Sequence, residues 1–575
     1  GKLLFLVIFL FTNILLAQDW IKDYPGIPIE TELWWGWSNN TKFPGAIDSM
    51  KEAGINILRA PVSFSGLTDE MQLLLDNGFV IIPTSSLGYN WIAHYTDAKY
   101  SAWEAEGNPN YDANLIHYDS VMAIDNSGTY LKLRSERAGD ADTLIKGPYY
   151  IQDVHYYSSQ NGKQDTIIYT ANFKLKLEPN TLIPDTIIQT DNPSDTICII
   201  QVTQSYASTA GGVWHLPCTY VIEDSVLTRG INFDTLNVWK EISLRYTLEC
   251  DSCRDAPTQT HPPLQARFSF SSTTATDPPP RFSSQYIQFK VLWKKNPNYL
   301  ISIDKVIISD DRGLLLKSTT IPEDQILTQA TSLDSYHPLV TGWLGVDEPI
   351  SIDIFEPIRM VTEILDYNSN EARPLYLPWM GMWDGVWENR ANPFGAMGKS
   401  HWSEFKKRVG RANIIQDFYL YDYPYLNNGN PCYCTDYRAD NIWRMCKLNY
   451  KQAYQLDPNF GVSLQCGEIH YTSQAEERNN SATEFLYNAN LALMYGAKFF
   501  SLYTYFAQSS QDSCYTSGLT CHAIVDFFNQ ANGDISLIYT EKYNTLRYKL
   551  NPRLKGLMGK TLKKLMPTLD SLNIN

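Results

Sequence analysis

The sequence predicts an α/β fold: a (β/α)8 TIM barrel with an all-β, jelly-roll-like sandwich inserted after its third strand. Three observations predict it. Residues 30 to 90 alternate strand-like and helix-like runs at the spacing of parallel β/α units. The same texture returns after about residue 336. Between them, from about residue 98 to 318, the chain is rich in Thr, Ser, Asp, Tyr and Pro, and short period-two runs are separated by turn residues, as in an antiparallel sandwich.

The first block reads strand "TELWWGW", helix "FPGAIDSMKEAG" stopped by Gly54, and strand "INILRAPVS". Helix "LTDEMQLLLDNG", stopped by Gly78, and strand "FVIIPTS" follow. The middle block carries "DTIIYTANFKLKLEP", "DTICIIQVTQSYA", "EISLRYTLEC", "YIQFKVLWKK" and "LISIDKVIISDD" as strands. The last block gives five strands, in "LVTGWLGVDEP", "RPLYLPWMGMW", "IIQDFYLYDYPY", "FGVSLQCGEIHY" and "AKFFSLYTYF", with helices between them. Three strands plus five make eight, the number that closes such a barrel. The expected organisation is a leader over 1–17, barrel over 25–97, sandwich over 98–320 and barrel again over 321–575. Two unrelated domains flanking a linker is the alternative arrangement.

A chain of 575 residues is long for one core. With 44% hydrophobic and 19% charged residues it is globular. A net charge of −15 without clustered Lys and Arg argues against a nucleic-acid partner. The 15 Trp and 37 Tyr are many, and such rings line sugar clefts or fill cores. Lys2 precedes an apolar run from Leu3 to Leu16, with Ala17 placed for cleavage. That is signal-peptide layout, too short for a membrane span, so a protein secreted or placed in the periplasm or on the cell surface is expected. Ten cysteines fit an oxidising compartment. Cys250 with Cys253, the group Cys432, Cys434, Cys446 and Cys466, and Cys514 with Cys521 point to local disulfides rather than zinc, since no His is interleaved. No metal and no cofactor is expected.

In barrels of this type the active site sits at the C-terminal strand ends. Strand one offers Trp34, Trp35 and Trp37; strand four Asp347 and Glu348; strand five Trp379, Trp383 and Asp384; strand six Asp422 and Tyr423; strand seven Gln465, Glu468 and His470. The picture is a carboxylate-rich mouth walled by aromatic rings. Glycoside hydrolysis needs two carboxyl groups, one to protonate the leaving oxygen and one to attack the anomeric carbon or activate water. Glu348, beside Asp347 and behind "WLGV", suits the acid, because a neighbouring carboxylate and apolar packing both raise its pKa. The plain structural alternative is a helix cap, or an ion pair with an arginine such as Arg59. "DYNSNEARP" has calcium-loop spacing but lacks the Gly and distal Glu, and no G-x-S-x-G elbow marks a serine hydrolase.

The strand ending "GVDEP" resembles the acid/base segment of clan A glycoside hydrolases. "DFYLYDYPY" resembles a strand-six segment that supplies substrate contacts, and "ATEFLYNANLALMYGAKFFSLYTYF" is similar to the closing helix and strand of beta-galactosidase-like members. The resemblance covers roughly 30 to 95 and 336 to 560. It implies Glu348 as acid/base and Glu468 as nucleophile, with Asp422 as second carboxylate if Glu468 lies on the loop. Asp347, Trp35, Trp37, Trp383, Asp384, Tyr423, Gln465 and His470 would bind a polysaccharide or oligosaccharide. That clan carries Asn before the acid, where this chain has Asp347; a carbohydrate-binding or surface protein without catalysis is the alternative. The insert, from "YSAWEAEGNPN" to "NPNYLISIDKVIISDD", resembles carbohydrate-binding sandwich modules. Its Trp214, Trp239 and Trp293 would stack on sugars or fill the core, Trp293 being placed for the core.

Overall fold

A computed structural model gives the fold. It describes residues 29–32, 50–51, 54–61, 69–84, 91–105, 116–126, 128–147, 168–182, 192–210, 213–247, 285–333, 340, 342–346, 349, 352–368, 374–380, 405–410, 412–417, 426–427, 430–431, 449–465, 482–503 and 546–550.

Strand β1 is Ile29–Glu32 and β2 is Ile57–Pro61; helix α1, Asp69–Asp76, leads into β3, Val80–Thr84. Gly78 follows α1 at φ +80°, a left-handed conformation that glycine adopts without a Cβ clash. Helix α2, Trp91–Thr96, comes next. Eleven strands follow: β4 Tyr100–Glu104, β5 Ile116–His117, β6 Ser120–Asp125, β7 Gly128–Leu133, β8 Thr143–Gly147 and β9 Tyr169–Pro179. Then come β10 Thr196–Ala210, β11 Val213–Thr228, β12 Trp239–Tyr246, β13 Gln285–Trp293 and β14 Tyr299–Ser309. Helices α3, Asp311–Ser318, and α4, Ile321–Ser332, precede β15, Trp343–Leu344. Helix α5, Phe355–Asn368, and strands β16 Leu375–Met380 and β17 Asn413–Asp417 come after it. The short β18 Leu426–Asn427 and β19 Asn430–Pro431 form a two-stranded hairpin. Strand β20 Gly461–Gln465, helix α6 Ala482–Met494 and strand β21 Phe499–Tyr503 follow.

Eight strands pair in parallel in the order β15-β16-β17-β20-β21-β1-β2-β3. The closed (β/α)8 TIM barrel expected from the sequence is corrected here. Among the described residues this sheet has two ends, β3 and β15, and they meet at one isolated bridge, Ile81 with Val340, instead of a ladder. The reason lies in β15. It has two residues; Trp343 N donates to Pro374 O at 3.0 Å and Gly345 N donates to Tyr376 O at 2.8 Å, so the alternation of the strand leaves only Leu344 to face β3, too little for a ladder. The fold class also shifts, because most of the strand residues lie in antiparallel sheets.

Those sheets are β11-β10-β13-β8-β5 and β12-β9-β14-β7-β6, with β4 added to β14. They make the sandwich-like part that the alternating runs predict. Its core holds Phe173, Leu175, Leu177, Phe289, Val291 and Trp293, all at most 1% exposed. Each such side chain contributes about 1.5–3 kcal/mol on burial. Trp293 does fill this core, and its Nε1 donates to Ala138 O at 2.6 Å. Strands β4 and β14 are register partners, Tyr100 opposite Ser309, so the chain enters and leaves this part side by side. Asp310 pins the exit: its carboxylate accepts from Gly313 N at 2.7 Å, capping α3, and from Lys99 N at 3.0 Å.

The sandwich-like part also packs on the helices of the parallel part. Arg408 Nη1 donates to Ser101 Oγ at 2.8 Å, with its guanidinium 5.8 Å from the Trp103 ring centroid. Trp91 N donates to Gln329 Oε1 at 2.6 Å, fixing α2 against α4. Among the described residues no helix is long and apolar enough to cross a membrane. Cys198 is free and buried, while the cysteines expected to pair lie outside the described residues.

Candidate functional site

A parallel sheet ends all its strands at one edge, so the segments that follow them start together. The inner face of this sheet is built in layers. Ile57, Ile82, Leu344, Tyr376, Ile415 and Phe499, one each from β2, β3, β15, β16, β17 and β21, form a buried apolar layer. Strand β20 contributes Gly461. A Cβ there would lie 2.3 Å from Phe499 Cε1, so the glycine makes room for the ring. Tyr376 meets the same ring edge-on at 5.7 Å.

Two residues further along four of these strands, on the same face by the period of two, the layer turns polar. Arg59 follows Ile57, Ser463 follows Gly461, Ser501 follows Phe499 and Asp417 follows Ile415. Arg59, Ser463 and Ser501 are buried, and Ser463 and Ser501 are register partners. The Arg59 guanidinium reaches past β1 and donates through Nη2 to Ser501 Oγ. Burying a guanidinium is costly without acceptors for its five N–H groups, and the Ser501 hydroxyl supplies one of them.

The exit of β15 is held on both sides. Val346 N donates to the Thr96 hydroxyl of α2 at 3.1 Å. A Cβ at Gly345 would lie 2.8 Å from Leu377 Cδ2, so the strand runs tight against β16. The next residue in the chain is Asp347. Thus the backbone just before the expected acid is anchored, and charge complementarity favours carboxylates near Arg59.

Glu348, Glu468, Asp422, Asp347, Trp35, Trp37, Trp383, Asp384, Tyr423 and His470 all lie outside the described residues. Gln465 is the last residue of β20, in register with Tyr503, and its side chain is outside them too. The structure therefore brings together the strand ends that lead to these positions. Sequence reasoning had Arg59 only as a possible ion-pair partner and passed over Ser463 and Ser501. A polar residue at an inner position of an otherwise apolar strand, as in "NILRAP", is the signal that finds them. Among the described residues no group of three or more His, Cys, Asp or Glu could hold a metal ion.

No family model matches the chain, and no curated protein matches it. Among solved structures, one similar chain is the N-terminal endo-1,4-beta-D-xylanase 10B of Clostridium thermocellum, its CBM22-1 and GH10 modules complexed with xylohexaose. It has 10% identity and a TM-score of 0.20, over 69% of this chain and 80% of that one. Another is the Glycosylation Associate Protein (Gap123) complex of Streptococcus agalactiae, at 8% identity and TM-score 0.17, over 69% and 88%. Likenesses at these TM-scores carry no argument about fold or activity.

Proposed function

We propose that the chain is an exported glycoside hydrolase that cleaves a polysaccharide or oligosaccharide by a two-carboxylate, retaining mechanism. The observation that carries this reading is Arg59, a guanidinium buried at the inner edge where all the parallel strands end, hydrogen-bonded to Ser501. A fixed cation there holds a neighbouring carboxylate ionised, as a nucleophile must be. Glu348 is the acid/base, three residues beyond the anchored Gly345. Glu468, three residues beyond the end of β20, is the nucleophile, with Asp422 in that role if the Glu468 variant stays active. Asp347, Trp35, Trp37, Trp383, Asp384, Tyr423, Gln465 and His470 position the sugar.

The test is hydrolysis of a panel of plant, algal and microbial glycans by wild type, Glu348→Gln and Glu468→Gln. A glycan cleaved by wild type should be cleaved about 10²–10⁴-fold more slowly by Glu348→Gln, the usual worth of a positioned acid. NMR of the first-formed anomer should show retention, as for carboxyls about 5–5.5 Å apart. Asp347, where the resembled clan carries Asn, favours a second reading: a glycan-binding protein without catalysis. Binding of a glycan with no cleavage by wild type would establish that second reading and refute the first.

A further inference from the structure

The six-stranded sheet carries several lysine–carboxylate pairs, and one is built differently from the rest. Lys132 with Glu178 and Lys240 with Asp234 leave the lysine 31% exposed, so water competes for both. Lys176 divides its ammonium between Asp125 at 2.9 Å and Glu178 at 3.3 Å. Lys174 on β9 meets one carboxylate among the described residues, Asp304 of β14, at 2.7 Å, with the two side chains 21% and 7% exposed. Lys174 projects from the outer face of the sheet, because its neighbours Phe173 and Leu175 are in the core. Opposite it the ladder slips. Ile303 faces Leu175 and Val306 faces Phe173, so Asp304 and Lys305 together stand against Lys174. A bulge re-aims a side chain, and this one brings the Asp304 carboxylate onto the lysine. Ala105 N donates to Asp304 O at 2.7 Å and fixes the bulge from the side of β4.

A third group stands beside this pair. Glu104, the last residue of β4, is the register partner of Lys305 and lies 3.8 Å from its Nζ. Burial holds the Glu104 carboxyl above the ordinary glutamate pKa; Lys305 opposes this, Asp304 adds to it and Lys174 opposes it. A carboxyl that keeps its proton beside a lysine–carboxylate contact can carry protons for a reaction between the two. The Trp239 ring stands over the lysine, 5.4 Å from Nζ. A nucleophile, an electrophile and a proton carrier thus sit on β9, β14 and β4, strands joined by their ladders.

We propose that Lys174 and Asp304 join as an intramolecular amide, a covalent cross-link between β9 and β14 that forms within the folded chain. The Lys174 ammonium gives up a proton, its Nζ lone pair attacks Cγ of Asp304, and the C–N bond forms. One C–O bond of the carboxyl then breaks, and that oxygen leaves as water with the two protons that the nitrogen loses. Glu104 relays those protons and ends as it began, and no oxidant or cofactor is consumed. A contact held by two ladders supplies the proximity that intramolecular attack needs. The link closes a loop and so restrains the unfolded chain, as a disulfide does. The inference stands apart from the hydrolase reading.

The experiment is peptide mass spectrometry of the full chain, purified in folded form, then reduced, alkylated and cut with trypsin. The expected product is a branched peptide joining the segments that hold Lys174 and Asp304, lighter than their sum by one water, with no cleavage after Lys174. Lys174→Arg keeps the cation and should give linear peptides only. Asp304→Asn should still link but lose ammonia in place of water, which an ion pair cannot imitate. Glu104→Gln should leave most chains unlinked, and Glu104→Asp should restore the link. A glutamate that merely supports the fold would move the melting temperature and leave the linkage as it was. Linear peptides alone from folded wild type overturn the inference. So does a branch at Glu241, the register partner of Lys174 on β12. Full linkage in Glu104→Gln overturns the part given to Glu104.

Discussion

Gly461→Ala tests the layered interior beneath the strand ends. A Cβ at 461 would sit 2.3 Å from both Cε1 and Cζ of Phe499 and 2.7 Å from Cδ1. The ring is 1% exposed and held by the edge of Tyr376, so it has nowhere to swing. Overpacking of this kind costs about 1–3 kcal/mol. Against that, alanine is better than glycine within a strand by about 0.5–1 kcal/mol. The net expectation is a loss of up to about 2.5 kcal/mol in the wild-type background. In a Phe499→Leu background the obstructing ring edge is gone, and Gly461→Ala should be neutral or slightly stabilising. Urea unfolding of the four proteins, with midpoints compared at common m, gives the coupling. A value of about 1 kcal/mol or more is expected, typical for residues in contact. If Gly461→Ala costs the same in both backgrounds, Phe499 does not fill the space over residue 461, and the layer drawn from it is wrong.

Two further outcomes follow from the same coordinates. Trp293→Phe removes the donor to Ala138 O and should cost about 1–3 kcal/mol, the penalty of a stranded buried carbonyl. Trp103, whose indole N–H has no acceptor among the described residues, should tolerate Phe better, and equal losses in urea would refute the role given to the Trp293 bond. His94 is held below its ordinary pKa by burial first and by Arg312 second, with Asp310 and Asp97 opposing. Folding therefore favours its neutral form. That contribution is complete above the unfolded value of about 6.5 and is lost as pH falls from there through the lower folded value. Melting temperature should fall less from pH 7.5 to pH 5 in His94→Gln than in wild type, and identical falls would show that His94 does not titrate with folding.

Much of the element order was legible because it depends on local pattern. "LTDEMQLLLDNG" became α1 with Gly78 at positive φ, and the run "LISIDKVIISDD" became β14. What the sequence concealed depends on partners far along the chain. Helices α3 and α4 have weakly amphipathic sequences and are held by Asp310 and by Gln329, groups that act through Lys99 and Trp91. The hairpin of β10 and β11 closes with Ala210 opposite Val213, and the Gly-Gly between them was an unread turn signal. Closure of the parallel sheet was inferred by counting strands. A count carries no information about whether β15, with two residues, is long enough to form a ladder with β3. Arg59 was visible as a letter, but its reach to Ser501 across β1 depends on β21, more than four hundred residues later.

That last separation has a consequence for how the molecule is made. Strand β1 is hydrogen-bonded on one side to β2 and on the other to β21, with Ile29 opposite Phe500. During synthesis from the N-terminus, β1 to β3 emerge first and one flank of β1 stays open while some four hundred residues are still to be added. The sandwich-like part, whose first and last strands are adjacent, completes its own pairing in that interval. Translation thus presents a finished module tethered to an unfinished edge, and an unfinished edge is a template for the wrong neighbour. The open flank of β1 can be closed by its native neighbour only once residues 499–503 have been added to the chain.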